Sequence, residues 1–181
     1  MATYQNLIKK EAGIINQLNK NIHATFRNRN NNKSAWEDAC SEFHTYNSAI
    51  YPYVDRLYSE KEIRDPDIIE FVITFLELDP KFFRSGYIKE EMLRKLKRAA
   101  LNEKHKKRLR NILCDAVEKR GSREFRRYCR LAPIIAENGL IECIEKSATN
   151  SNNKIKSRAK LMLKYIRQQE SMQSKSLSDN M

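Results

Sequence analysis

Apolar residues recur along most of the chain at the three- and four-residue spacing of amphipathic α-helices. In the first segment they fall at Leu7, Ile14, Ile15, Leu18 and Ile22, which predicts a helix over about residues 3–27. The same spacing continues to the last apolar stripe near residue 166, and no segment shows the alternation of a half-buried strand. The pattern predicts an all-α fold of about eight or nine short amphipathic helices.

Several helix boundaries are marked by residues that cap helices. Asp65, Pro66 and Asp67 combine a capping side chain, a proline suited to the first turn and an acid that complements the helix dipole. Asn102 is expected to cap a later helix, and the segment from Ser34 to Glu37 has the spacing of a capping box. Pro52 either ends the second helix or begins a short one, Ser122 is expected to cap the seventh helix, and Pro133 is expected to break or kink it.

Low turn content and a polar C-terminal end define the expected domain organisation. Only four glycines and four prolines occur in 181 residues, which disfavours a sandwich or barrel. From about Gln168 the chain is polar and aperiodic. We therefore expect one helical domain over residues 1–167 and a flexible polar tail over residues 168–181.

A segment near the C-terminus resembles the second helix of a HEAT or armadillo repeat. Residues 156–163 place Ala159 among charged side chains and follow it with an aliphatic run. The resemblance covers about residues 65–167, without a strict internal period. It implies an irregular HEAT-like stack of helix pairs that leaves a surface for another macromolecule. An irregular helical bundle is the alternative architecture.

Positive charge is concentrated in one quarter of the chain. The whole sequence has a formal net charge of +12. Residues 88–130 carry 16 basic and 6 acidic side chains, whereas residues 1–87 carry 11 basic and 12 acidic ones. A field concentrated in this way attracts anionic partners such as phosphate backbones, acidic protein surfaces or anionic lipid.

The most informative segment is the arginine-rich stretch from residue 123 to residue 130. If it is helical, Arg123, Arg127 and Arg130 share one face with Arg126 beside them, while Phe125, Cys129 and Ala132 point to the other side. Stacked like charges repel, and the planar guanidinium fork is suited to binding phosphate or carboxylate. The alternative is internal pairing with acids of the N-terminal half, such as Glu70 or Glu77.

A second basic run lies within residues 104–110 and is interpreted as the polar face of a helix. With cations from the preceding helix, it is expected to extend the arginine face into one basic surface. The predicted binding residues are Arg94, Lys97, Arg98, Lys106, Lys107, Arg110, Arg123, Arg126, Arg127 and Arg130. Tyr87 and Tyr128 could stack on bases beside such a surface, although aromatic residues at helical spacing are more often core.

The sequence predicts no enzyme, no metal site and no cofactor. It contains no Walker loop, Rossmann glycine fingerprint or GxSxG elbow. His23, His44 and His105 lack the i+4 partner of a zinc-binding helix. The acids from Asp65 to Asp79 are better explained by capping and dipole compensation than by acid–base catalysis. The four cysteines have no paired CxxC spacing and are expected to be buried, reduced thiols.

Two functions remain open from the sequence. As a small, all-helical, non-enzymatic chain, the protein resembles bacterial immunity proteins, which neutralise a toxin domain. That resemblance implies a non-catalytic, cytoplasmic inhibitor whose protein partner, such as a toxin domain, presents an acidic face. The alternative is a protein that contacts the phosphate backbone of RNA or DNA through residues 88–130. No membrane span and no secretory leader are expected, because Met1 precedes a polar stretch and no long apolar run follows.

Overall fold

The computed structural model describes residues 2–119, 121 and 123–178. Within these residues the protein is all-α and has no strand, which confirms the predicted fold class. The described helices are α1 (Ala2–Phe26), α2 (Lys33–Thr45), α3 (Tyr51–Ser59), α4 (Pro66–Leu78), α5 (Ser85–Leu96), α6 (Glu103–Lys119), α7 (Phe125–Ile135), α8 (Asn138–Ala148) and α9 (Asn153–Ser178).

The helices pack in two rows. In one row α1 contacts α4, α4 contacts α6, and α6 contacts α8. In the other row α3, α5, α7 and α9 each contact the next member. Contacts of α4 with α5, α6 with α7 and α8 with α9 join the rows, and α2 packs against α1. One hydrophobic cluster, extending from Ile8 to Ile166, lies between these helices.

Helix α4 is the most deeply buried element. Nearly every residue from Ile68 to Leu76 is buried, including Phe71 and Phe75. The predicted start is confirmed, because Asp65 accepts a hydrogen bond from the backbone N–H of Asp67 at 2.9 Å. A helix that is apolar on most sides must be covered by neighbours, and here α1, α5 and α6 supply that cover.

The polar side chains of α4 form a stripe that a single arginine of α6 satisfies. The guanidinium of Arg108 donates to both carboxylate oxygens of Glu70, at 2.6 and 2.7 Å, and to both of Glu77, each at 2.7 Å. It also donates to the hydroxyl of Thr74 at 3.2 Å. Forked, charge-assisted contacts of this kind are the strong ones. They fix α4 against α6.

Several predicted boundaries differ from the observed ones. The capping box at Ser34 is wrong: Asn32 caps α2 by accepting from the N–H of Ala35 at 3.1 Å. Pro52 lies in the first turn of α3, so it begins a helix, and α7 continues through Pro133 as one helix. The cap at Asn102 is confirmed by a 2.9 Å bond from the N–H of His105.

The C-terminal helix extends further than its apolar stripe indicates. Helix α9 runs to Ser178, about ten residues beyond its predicted end. Residues 179–181 and Ser122, the predicted cap of α7, lie outside the described residues. A flexible tail over residues 168–181 and the likeness to HEAT and armadillo repeats stay predictions.

The prediction that all cysteines are buried, reduced thiols is confirmed only for Cys129, because Cys114 and Cys143 are paired and Cys40 is only partly buried. Cys114 of α6 and Cys143 of α8 form a disulfide, with Cα atoms 6.4 Å apart. Both are only partly buried, and the bond links neighbouring helices of one row. Cys40 and Cys129 are free thiols. Local sequence could not indicate the pairing, because the two cysteines are 29 positions apart without a paired motif.

We expect Arg108→Met to destabilise the protein by about 2 kcal/mol, because it leaves partly buried carboxylates without their cation. Burial alone would raise the pKa of Glu70, but the hydrogen bonds and charge of Arg108 hold that pKa below its usual value. The contribution is therefore present at neutral pH and lost as the pH falls through the lowered pKa. Urea unfolding between acidic and neutral pH measures both effects.

The matched control is Arg64→Met, because the guanidinium of Arg64 is 86% exposed and pairs with Glu62 alone. A surface pair of this kind contributes less than about 1 kcal/mol. Equal destabilisation by the two variants would contradict the importance given to Arg108.

We expect reduction of the Cys114–Cys143 disulfide to lower stability by about 3 kcal/mol, because the bond closes a loop of about 30 residues. Urea unfolding with and without reductant measures the loss, and the double variant Cys114→Ser/Cys143→Ser should not respond to reductant. Thiol titration of the air-oxidised, unfolded chain should find two thiols; four would refute the pairing.

Candidate binding surface

Four of the ten predicted binding cations are engaged by internal partners. Arg94 pairs with Glu91 within α5, and Lys106 contacts Glu103 at 2.7 Å within α6. Arg110 is the most fully engaged. Its guanidinium donates to the carbonyl oxygen of Ile135 at 2.9 Å and pairs with Glu137 at 2.9 Å. Arg110 therefore joins α6 to the end of α7 and is not available to a partner.

Arg123 has internal partners of a different kind. Its guanidinium carbon lies 4.1 Å from the ring centroid of Tyr87, and its Nε lies 3.5 Å from a carboxylate oxygen of Glu90. Both partners lie in the N-terminal half of α5, and Arg123 lies just before α7. The N-terminal ends of α5 and α7 are therefore neighbours. The side chain of Arg123 remains 56% exposed, so it can still contact a partner at its outer edge.

The remaining six predicted cations have no ion-pair partner within the part of the chain that the structure describes. They are Lys97, Arg98, Lys107, Arg126, Arg127 and Arg130. Lys97 and Arg98 follow the C-terminal end of α5, and Lys107 lies on α6, which belongs to the other row. Only the three arginines are grouped within one turn and a half of one helix.

Helix α7 separates its two faces as its sequence predicts, but it begins at Phe125, so Arg123 lies in the preceding turn and the prediction that it shares the helical face is wrong. Phe125, Cys129 and Ala132 are buried, which confirms their predicted side. Burial raises the pKa of the Cys129 thiol to about 12, so the thiol stays protonated. Arg126 and Arg130 are exposed and Arg127 is partly exposed on the opposite side. We call these three residues the α7 arginine face.

The two tyrosines proposed for base stacking have different environments. Tyr128 is fully buried in the core, which confirms the interpretation of such aromatic residues as core and excludes base stacking. Tyr87 is 53% exposed, with the guanidinium of Arg123 over its ring. Sequence periodicity could not separate these two tyrosines, because both occur beside apolar residues in basic helices.

A large groove that sequence reasoning missed lies between the pair α1–α2 and the pair α3–α5. Its volume is ≈ 1060 Å³. We call it the aromatic groove, and its aromatic lining consists of Phe43, His44, Tyr46, Tyr51, Tyr58, Phe82, Phe83 and Tyr87. A possible signal was the density of aromatic residues at 43–58 and 82–87.

A buried carboxylate positions the walls of the aromatic groove. Glu11 of α1 is 3% exposed and accepts hydrogen bonds from the hydroxyls of Tyr46 at 2.7 Å and Ser48 at 2.6 Å. The backbone N–H of Ala49 donates to the same carboxylate at 3.1 Å. Glu11 therefore ties α1 to the end of α2 and to the connection that leads into α3.

The turn before α5 forms another wall. The side-chain amide of Asn16 on α1 donates to the carbonyl oxygen of Lys81 at 2.8 Å. The rings of Phe43 and Phe83 meet edge to face, with centroids 5.4 Å apart. These contacts hold the turn that precedes α5 against α1 and α2.

The acids that might have formed a catalytic pair have structural roles. Asp65 caps α4 and pairs with Arg56, Glu70 and Glu77 bind Arg108, and Asp79 pairs with Lys89 at 2.6 Å. Among the described residues, no three metal-ligating side chains are grouped to hold an ion. Burial lowers the pKa of His105, which favours its neutral form.

No described helix combines the length and apolar character needed to cross a bilayer. The sequence matches no protein-family model, and comparison with curated proteins and with solved structures finds no match either. Function must therefore be inferred from the described side chains. The α7 arginine face and the aromatic groove are the two surfaces to which the contacts above assign no structural role.

We expect Glu11→Ala to destabilise the protein by about 2–3 kcal/mol, because it leaves three donors without their acceptor. Tyr46→Phe removes one of these bonds and should cost about 1 kcal/mol. Urea unfolding at neutral pH measures both. A loss from Glu11→Ala no larger than that from Tyr46→Phe would show that the carboxylate does not anchor the groove.

Burial, together with the Glu11 hydrogen bond, raises the pKa of Tyr46 to about 12. Stability linked to this phenol is thus present below its unfolded pKa near 10 and lost as the pH rises through about 12.

Proposed function

We propose that the protein is a non-catalytic binding module that docks on an acidic protein surface through the α7 arginine face. The observation that carries the proposal is that Arg126, Arg127 and Arg130 are grouped on one helix without an acidic partner among the described residues. Like charges at this spacing repel one another and destabilise the helix. A partner's carboxylates would remove that cost and form forked hydrogen bonds.

Internal pairing of the other cations supports a protein partner over a nucleic acid. Arg94, Lys106 and Arg110 are neutralised by neighbouring acids, and Tyr128 is buried. The cations that remain are dispersed at Lys97, Arg98 and Lys107 and are grouped only on the α7 arginine face, and the acids Glu90 and Glu137 in the same part of the chain are partly or fully exposed. Mixed charge of this kind suits an interface with a defined register, whereas phosphate-backbone binding gains from every exposed cation.

The most specific form of the proposal is an inhibitor of the immunity type, whose arginine face binds an acidic face of a toxin domain. A cytoplasmic location belongs to the same proposal. The disulfide weighs against that location, because a reducing cytosol disfavours disulfides. The alternative function, binding of RNA or DNA through residues 88–130, is supported by the six cations without ion-pair partners.

We expect Arg126→Glu/Arg127→Glu/Arg130→Glu to keep the fold and to weaken partner binding at least about tenfold, because each substitution replaces an attraction by a repulsion. Bait protein captures partners from nuclease-treated extract of the source cell at about 150 mM salt, and bound proteins are quantified by mass spectrometry. Heparin should not displace the specific partner. Unfolding of the variant would show that the arginines are structural.

The control variant is Lys9→Glu/Lys20→Glu/Arg27→Glu, which makes the same charge change at exposed cations of the α1 region. It should retain the partner. Labelled RNA and DNA are titrated in parallel between about 50 and 200 mM salt. Tight nucleic-acid binding with a steep salt dependence, lost in the α7 variant alone, would replace the proposal by the alternative function.

A further inference from the structure

Exposed hydrophobic side chains are concentrated in the aromatic groove. Five large hydrophobic residues are exposed among the described residues, and three of them line this groove. They are Tyr58, Phe83 and Tyr87, exposed by 56%, 50% and 53%. Scattered surface hydrophobic residues need no explanation, but a contiguous group beside a large groove marks a binding site.

Two arginines lie on the rings at one end of the groove. The guanidinium carbon of Arg84 is 5.4 Å from the ring centroid of Phe83, and that of Arg123 is 4.1 Å from the ring centroid of Tyr87. Tyrosine and arginine are the residues that most often dominate binding energy at protein interfaces. Since Arg123 directly precedes α7, this end of the groove is continuous with the helix that carries the arginine face.

Arg84 also has an unusual backbone conformation. Its φ is 67°, in the left-handed region that residues other than Gly, Asn and Asp rarely adopt. The surrounding contacts enforce it, since the N–H of Phe82 donates to the hydroxyl of Ser85 at 3.1 Å and the carbonyl oxygen of Arg84 accepts from the N–H of Tyr87 at 3.0 Å. The turn therefore presents Arg84 at the groove in a fixed orientation.

The charges of the groove discriminate between kinds of occupant. Asp55 on α3 and Arg84 before α5 both line it, both are exposed, and neither has an ion-pair partner among the described residues. A complementary occupant therefore carries an acid and a base together with apolar side chains. A polypeptide can supply all three, whereas the phosphates of a nucleic acid would be repelled by Asp55.

We propose that the aromatic groove binds an amphipathic segment of the partner protein. Apolar side chains of that segment lie on Tyr58, Phe83 and Tyr87, an acidic residue pairs with Arg84, and a basic residue pairs with Asp55. This inference rests on the proposed function, because the occupant belongs to the protein that the α7 arginine face contacts. It adds a second contact area with its own chemistry.

The test uses fluorescein-labelled helical peptides of about 18 residues, long enough to span roughly 27 Å. All have Leu and Phe on one face. One peptide carries Glu at one end of its polar face and Lys at the other, one carries only Glu, and one carries only Lys. Anisotropy with the full chain should show the mixed-charge peptide binding at least about tenfold more tightly than either single-charge peptide.

Substitutions in the groove localise the binding. Tyr58→Ala and Phe83→Ala should each weaken binding of the mixed-charge peptide about tenfold or more, as expected for central aromatic contacts. The matched control is Phe26→Ala, because Phe26 is an exposed aromatic residue, at 43%, that does not line the groove. Circular dichroism and thermal unfolding confirm that each variant is folded.

A charge swap tests the pairing directly. Arg84→Glu and Asp55→Lys should each weaken binding of the mixed-charge peptide about tenfold. Each substitution places a charge beside the peptide residue of the same sign. The double variant Arg84→Glu/Asp55→Lys should restore binding, since the peptide can then dock in the reverse direction. A structural defect would not be repaired by the second substitution.

The proposal is overturned if the mixed-charge peptide fails to bind at about 1 mM, if all three peptides bind alike, or if Phe26→Ala reduces binding as much as Phe83→Ala. Its failure is distinguishable from failure of the proposed function. The α7 triple variant should lose the captured partner but bind the peptide normally, whereas the groove variants should lose the peptide. Partner capture that survives in the groove variants would leave the α7 arginine face as the interface.

Discussion

The packing of this protein depends on how α4 is accommodated in the core. The helix is buried on nearly all sides, yet it carries Glu70 and Glu77 on its remaining stripe. Buried or half-buried carboxylates need a compensating cation, and Arg108 supplies one forked group for both. That contact fixes α6 beside α4. The two rows continue through contacts of α6 with α8 and of α3, α5, α7 and α9 in succession.

Internal neutralisation also determines which charges remain on the surface. The basic excess of residues 88–130 is partly used inside the fold, by Arg108 towards α4 and by Arg110 towards the end of α7. Among the described residues the arginines of α7 have no such partner, because the buried side of that helix is occupied by apolar residues. A basic stretch of sequence thus contains both structural cations and a face available to another molecule.

The α7 arginine face and the aromatic groove are joined through Arg123, which stacks on Tyr87 at the edge of the groove. In the complex that we propose, the α7 arginine face supplies charge for encounter and orientation, and the aromatic groove supplies apolar rings that stabilise the bound state. Hydrogen bonds of Glu11 and Asn16 hold α1 against segments 37 and 65 positions away in sequence, and these segments form walls of the groove. The partner proposed here therefore has an acidic surface for the α7 arginine face and an amphipathic segment of mixed charge for the groove.

The sequence by itself determined what depends on local spacing. Helical class, the capped start of α4 at Asp65 and the opposite faces of α7 all follow from the 3.6-residue period and from side chains near their own backbone. Tertiary structure decided which of several equivalent residues does what. Tyr128 is buried while Tyr87 is exposed, and Cys114 meets Cys143. Arg110 is paired, whereas Arg130 has no ion-pair partner in the part of the chain that the structure describes. These outcomes depend on contacts between helices that are distant in sequence, and local periodicity carries no information about which helix will be the neighbour.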